Sequence, residues 1–445
     1  MGQMSSSKLE IVRSLLEQAP DHAVRSLLAA LTSDGRHDEA MAGVQHIIEI
    51  EAAERRARNM AFAPIAPLCG SPGPFNRLHF PTRTLALIWK ALKDEAPHEI
   101  AAAHAATSQW RDDESSPEIF NMLCARAAEG LRGRSSVLFA QAAESADAGG
   151  GNEALAACLD LARVTRGALH RMPEWLGRMT SEKSAALRLA YRDAVALSDD
   201  AGPRFFEMLA AHLNEPWLIL RIISGVMDHP NETYLSASEL ASFGERVMDD
   251  IDRRLTAVTA FKAPAGRAAA YAAAAAVHVI TAEINEFEQS IAMKPEGVWG
   301  RRVARQKRAM ANAIEAQLKI TEDAVAHALP LQTVRLGPRA AKGVPKLVNA
   351  PDPILVEKAS TLLIFMSEVR ASANNGGFAS ARAKALESLE TRLDQYVEDI
   401  LEEIRSEDCA DRDRARAYLE IAADLCGLAR DEKAAQIVRR RAAAA

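Results

Sequence analysis

The sequence predicts an all-α protein: a multi-helix bundle or irregular α-solenoid-like array of helix pairs, ending in a C-terminal antiparallel helical hairpin. Three observations carry that expectation. Alanine, the strongest helix former, fills 87 of 445 positions. Apolar residues recur at three- and four-residue steps along most of the chain. Proline and glycine interrupt those stripes at regular intervals. With 48% apolar and 26% charged residues the chain belongs with globular proteins, so disorder is left for its edges only.

Ser7-Lys8-Leu9-Glu10 reads as a capping box ahead of Leu9, Val12, Leu15 and Leu16, one stripe of a first helix. A second starts at Asp21 after Pro20, carries Val24, Leu27, Leu28 and Leu31, and stops at Asp34-Gly35. The third spans 38–60 and ends in Glu54-Arg55-Arg56-Ala57-Arg58, a run expected to be solvated. Residues 1–61 therefore form an N-terminal helical module. Pro64, Pro67, Gly70, Pro72, Gly73, Pro74 and Pro81 make 62–83 a linker or docked loop.

A main helical array is expected over 84–329. Its first helices fall at 84–95, 98–109, 117–131, 134–147, 152–170, 181–198, 203–213 and 216–228, with breaks that include Pro97, Pro117, Gly133, Pro173, Gly202 and Pro230. Leu240, Phe243, Val247, Ile251 and Leu255 then mark a longer helix. An alanine-rich helix from Ala268 is expected to be central and buried, and a long helix runs from Trp299 to Leu329.

Pro330, Gly337, Pro338, Gly343, Pro345, Pro351 and Pro353 make 330–353 a basic loop. The remainder, 354–445, begins with a helix to Ser372, turns at Asn374-Asn375-Gly376-Gly377 and returns to Arg405. Leu386, Leu389, Leu393, Tyr396, Ile400 and Ile404 on the returning arm have coiled-coil spacing, which would also permit a homo-oligomer through the 378–406 helix. A final pair, 411–427 and 431–441, resembles one tetratricopeptide-type repeat, although no fixed period recurs elsewhere.

Several chemistries are disfavoured by spacing. Cys69, Cys124, Cys158, Cys409 and Cys426 contain no CxxC, which predicts neither a disulfide framework nor a zinc knuckle and fits a reducing cytoplasm. His98 and His104 are six residues apart, about 240° around a helix, so they cannot share a metal as the histidines of HExxH do. Gly337 to Gly343 approaches a P-loop, but Lys342 precedes the glycine rather than following it. No catalytic constellation, metal site or cofactor is expected. The most apolar stretch, Ala268 to Ala282, is too short and too rich in alanine to span a bilayer. Arginine outnumbers lysine 41 to 13, a bias that with the alanine excess points to a G+C-rich, bacterial coding sequence.

Charge asymmetry is the most informative feature. Between Gly297 and Ala350 ten basic residues meet three acidic ones, whereas between Lys384 and Glu432 fifteen acidic residues meet seven basic ones; the net charge of −6 hides both. Trp299, Arg301, Arg302, Arg305, Arg308, Arg335, Arg339, Lys342 and Lys346 are therefore the candidate anion- or partner-binding residues. Internal pairing of this basic segment with the acidic C-terminal helices is the plainer alternative.

Asp249-Asp250-Ile251-Asp252 resembles the aspartate-rich magnesium motif of all-helical prenyl-chain enzymes, though without DDxxD spacing or a second aspartate-rich helix. That resemblance implies Asp249 and Asp252 as metal ligands, with Arg253 or Arg301 clamping a diphosphate. The leading expectation is instead a non-catalytic, cytoplasmic scaffold or adaptor that binds a protein partner. A nucleic-acid binder using 301–346 is a third possibility, weakened by a pI near 6.1.

Overall fold

The computed structural model describes residues 11–12, 14–16, 19–33, 39–71, 73, 75–111, 116–335, 341–407, 409 and 411–444. The capping box at Ser7, the stop at Asp34-Gly35, and positions 337–340 of the P-loop-like stretch, Arg339 included, lie outside them. Helix covers 78% of the chain, so the all-α class holds. No helix among the described residues is long and apolar enough to cross a membrane. The chain divides into two compact units, Met1–His229 and Pro230–Ala445. That boundary falls inside the stretch read as a single array.

The first unit holds α1 (Asp21–Ser33), α2 (Glu39–Ala61), α3 (Arg83–Glu95), α4 (Pro97–Gln109), α5 (Glu118–Gly133) and α6 (Val137–Asp147). It continues through α7 (Asn152–Asp160), α8 (Ala162–Leu176), α9 (Ser181–Val195), α10 (Ala201–Ala211) and α11 (Ile219–Val226). Side-chain oxygens of Ser136 and Thr180 accept from the backbone amides of Phe139 and Lys183, satisfying N–H groups that the first turns of α6 and α9 leave free. The expected 152–170 helix is split at Leu161. Pro173 does not end α8, because a proline in the last turn removes one hydrogen bond and the helix stops three residues later.

The 62–83 segment is docked rather than extended. Phe62, Ile65, Leu68 and Phe80 are buried, and the Phe80 amide donates to the Leu68 carbonyl at 2.8 Å. Phe62 meets Trp89 edge to face at 6.0 Å, which ties this segment to α3.

The second unit holds α12 (Glu232–Leu235), α13 (Ala241–Ala260), α14 (Arg267–Ser290), α15 (Val298–Ala328), β1 (Leu331–Arg335) and β2 (Ala341–Pro345). It ends with α16 (Pro353–Glu368), α17 (Ala373–Gly376), α18 (Ala379–Arg405), α19 (Arg412–Ala429) and α20 (Glu432–Ala443). Helix α15 is its spine and packs on α13, α16 and α18. Gly244 is required where α13 meets Trp299, since a Cβ there would sit 2.6 Å from the indole ring.

Three sequence expectations change in this unit. The stretch expected as a loop contains an antiparallel ribbon, Leu331 opposite Pro345 and Arg335 opposite Ala341. The alanine-rich α14 is buried on one face only in its first half, where Tyr271, Ala272, Ala275 and His278 are exposed; alanine favours helix whether or not it is covered. Helices α16 and α18 do not pair as a hairpin. A 3₁₀ turn at Val369–Ser372, α17 and the left-handed Gly377 separate them, and α16 packs on α14, α15 and α19 while α18 packs on α15 and α19. Leu389, Leu393, Tyr396, Ile400 and Ile404 are consequently buried within the chain, which removes the apolar seam that oligomerisation through this helix would use.

Candidate binding groove

The basic segment singled out by composition does not form one surface. Trp299 is 1% exposed; its indole N–H donates to Glu245 at 2.6 Å and its ring meets Phe287 edge to face. Its backbone amide donates at 2.7 Å to Glu232, whose other oxygen accepts from Lys294 and Gly300, so a buried carboxylate caps the positive end of α15. Arg302 bridges to Glu245, Asp249 and Asp252 on α13 at 2.9, 2.5 and 2.6 Å. Gln306 adds a further bond to Asp252. The two aspartates of the magnesium-motif reading therefore hold an arginine from the next helix.

Arg301, Arg305 and Arg308 are exposed along the outer face of α15, and none has an ion pair among the described residues. Lys342 pairs with Asp399 and Glu402 of α18 at 3.1 and 3.2 Å, as the internal-pairing alternative expects. Lys346 is exposed, and Arg335 closes β1. The ribbon follows the far end of α15, about 40 Å from Arg301 at 1.5 Å per residue. Other acids of the C-terminal helices are taken by arginines of the same helices: Arg430 by Glu390 and Asp394, Arg439 by Glu420 and Asp424, Arg441 by Glu398.

In the first unit the structure assembles a site that composition does not mark. A half-open groove of about 1300 Å³ lies among α1, α2, α4, α5 and α8. Leu28, Ala53, Met60, Trp110 and Leu169 contribute apolar surface. Six arginines line it (Arg25, Arg55, Arg56, Arg163, Arg166 and Arg171) against two carboxylates, Asp21 and Glu49.

Those arginines have two different jobs. Arg55 is buried and donates to Glu51, Asp21 and the carbonyls of Leu16 and Ala19 at 2.6–2.7 Å, tying the N-terminal segment onto α2. Arg166 donates to the carbonyls of Met60 and Ala61 at 2.8 and 2.5 Å and to Asn121 at 3.1 Å, while its guanidinium lies 5.6 Å from the Phe120 ring centroid. It thereby satisfies carbonyls that the C-terminus of α2 leaves free, at the negative end of that helix. Burial lowers its pKa. These two residues set the spacing of α1, α2 and α8, and so of the walls.

Arg25, Arg56 and Arg171 are exposed and have no ion pair among the described residues; Arg163 has only a surface contact with Glu118 at 3.6 Å. Both wall carboxylates are already engaged. Burial would raise the pKa of Asp21, but a hydrogen bond from Asn59 and the charges of Arg58 and Arg55 outweigh it and hold the carboxyl below its usual range. Glu49 accepts from Gln45 at 2.8 Å. Behind the groove, Glu54 accepts from Trp89 and pairs with Lys93 and with the groove residue His104 at 2.5 and 2.8 Å. The Glu54–Arg58 run expected to be solvated is thus largely structural, because its charges close on α1, α3 and α4.

Sequence reading missed this groove because its cations come from segments far apart in the chain, none of them net basic enough to attract notice. The one local signal is the Arg163, Arg166, Arg171 row on α8, at helical spacing beside Gly167. No protein-family model, curated protein or solved structure matches the chain.

Proposed function

We propose that the protein is a helical adaptor that holds a segment of a protein partner in the groove of its N-terminal unit. The groove carries this reading: it is larger than the 300–1,000 Å³ typical of small-molecule sites, half open, and apolar with a charged rim. The diphosphate-enzyme alternative is less favoured, since Asp249 and Asp252 already hold Arg302. A photo-crosslinking residue at Gly167, which faces open space, tests the reading against the same residue at exposed Ala275 on α14. The expected result is one partner crosslinked at 167, mapped to a single peptide, absent at 275, and lost when Ala53→Trp fills the groove. Equal adducts at both positions, or adducts indifferent to Ala53→Trp, would refute it.

A further inference from the structure

We infer that the segment bound in the groove is an acidic amphipathic helix. This rests on the groove being a protein-docking site and adds the chemistry of its occupant. Volume and charge are the two observations behind it. A cylinder about 10 Å across and about 16 Å long, three turns of α-helix, occupies close to 1300 Å³. A helix laid in such a groove presents apolar anchors at i, i+3, i+4 and i+7 to a floor such as Leu28, Met60 and Leu169.

Charge selects the sign of the occupant's flanks. Arg25 and Arg56 stand on the α1–α2 pair and Arg163 and Arg171 on α8, so cations come from both walls. The resident carboxylates do not balance them, because Asp21 is committed to Arg55 and Arg58, which leaves Glu49 alone among the described lining residues against Arg25, Arg56, Arg163 and Arg171. Arg163 and Arg171 are eight residues apart, about 12 Å along α8. A helix lying alongside would meet both with carboxylates about two turns apart, while basic flanks would face like charge from both walls.

The test is a selection on the full-length chain from a displayed library of 18-residue helical peptides. The apolar face is fixed at i, i+3, i+4 and i+7, and the flanking positions are free to be Glu, Lys or Gln. Enriched peptides should carry Glu on both flanks, with pairs seven or eight residues apart. The best of them, as a synthetic peptide, should lose at least tenfold in affinity when Arg25, Arg56 and Arg171 are changed together to Gln, and its affinity should then fall less steeply with salt. Enrichment of Lys or Gln, or equal binding by a scrambled acidic peptide, overturns the inference but leaves the docking reading intact if Ala53→Trp still abolishes binding. Selection indifferent to Ala53→Trp removes both. If dodecanoate binds the groove and no library peptide does, the occupant is a small anionic amphiphile and the inference falls.

Discussion

Arginines that line the groove of the N-terminal unit border apolar surface with charge to spare, whereas several of the C-terminal unit end on carboxylates of a neighbouring helix. Arg302, Arg430, Arg439 and Arg441 all do so. Local net charge is therefore a poor guide to where a cation is free. The strongly basic stretch around α15 spends part of its charge within the unit, and the strongly acidic C-terminal stretch is paired in part by Lys342 and by arginines of the last helices. Free cations instead collect where three helices from separate, unremarkable parts of the chain converge.

The largest effect expected from this contrast belongs to Arg166. Changing it to Met keeps the stem and removes every donor, so two carbonyls at the end of α2 lose its bonds in a buried site and keep, among the described residues, only the Cys124 thiol and the Ala63 amide. A loss of about 3 kcal/mol is expected. Because a two-unit chain need not unfold in one step, hydrogen exchange is the suitable measurement. Protection should fall across α2 and α8 and stay unchanged in α15. Loss of protection in α15 as well would mean that the two units unfold together.

Glu283 offers the next largest effect, and in the opposite unit. It is fully buried on α14, neither carboxyl oxygen has a hydrogen-bond partner among the described residues, and burial pushes its pKa up to about 8 against the opposing charges of Arg254 and Arg253. Both arginines already pair with Asp250. The folded chain therefore keeps a proton that the unfolded chain sheds above its ordinary value of 4.5. The stability linked to this proton is full below 4.5, declines as pH rises by up to about 1.4 kcal/mol per unit, and is lost once pH passes about 8. Glu283→Gln mimics the protonated form. It should match the parent near pH 4.5 and exceed it by about 2 kcal/mol at pH 6; parallel pH curves for the two would refute the assignment.

Much of the helix inventory is legible in the sequence, because periodicity and breakers act over one or two turns. Expected segments at 84–95, 98–109 and 117–131 lie within two residues of α3, α4 and α5. What a charged side chain does is set at a distance, and there the sequence is silent. Arg55 and Arg56 are neighbours, yet one is buried against four acceptors and the other is exposed. The ribbon at 331–345 is equally hidden, since its Pro and Gly content resembles a loop and its ten residues gain stability from α18. Leu389, Leu393 and Tyr396 were legible as a seam, but whether its partner lay within or outside the chain was not.

Smaller effects are expected on α15, where Arg302 and Arg301 separate pairing from proximity. Arg302→Gln leaves Glu245, Asp249 and Asp252 in mutual repulsion with each partly exposed, so a loss of about 1 kcal/mol is expected, shrinking at high salt. Magnesium with inorganic diphosphate should not shift the melting temperature of the parent chain. A shift lost in Asp249→Ala/Asp252→Ala would restore the metal-dependent reading.

Arg301, Arg305 and Arg308 define the lower limit. They share the exposed face of α15, and none meets a carboxylate among the described residues; the Arg308 side chain donates only to the Ala304 carbonyl one turn back, at 3.3 Å. Replacing all three with Gln should change stability by less than about 0.5 kcal/mol, because solvated charges contribute little and Gln is nearly as good a helix former as Arg. The same change should leave the salt dependence of the melting temperature as it was, since no ion pair is removed for salt to screen. A melting temperature that falls and becomes less salt-sensitive would place these three in an internal pairing like that of Lys342 with Asp399. An unchanged melting temperature with loss of crosslinking at Gly167 would show that binding depends on cations far from the groove along the chain. If neither stability nor crosslinking moves, the contrast holds: these cations are free and idle, while those of the groove are free and used.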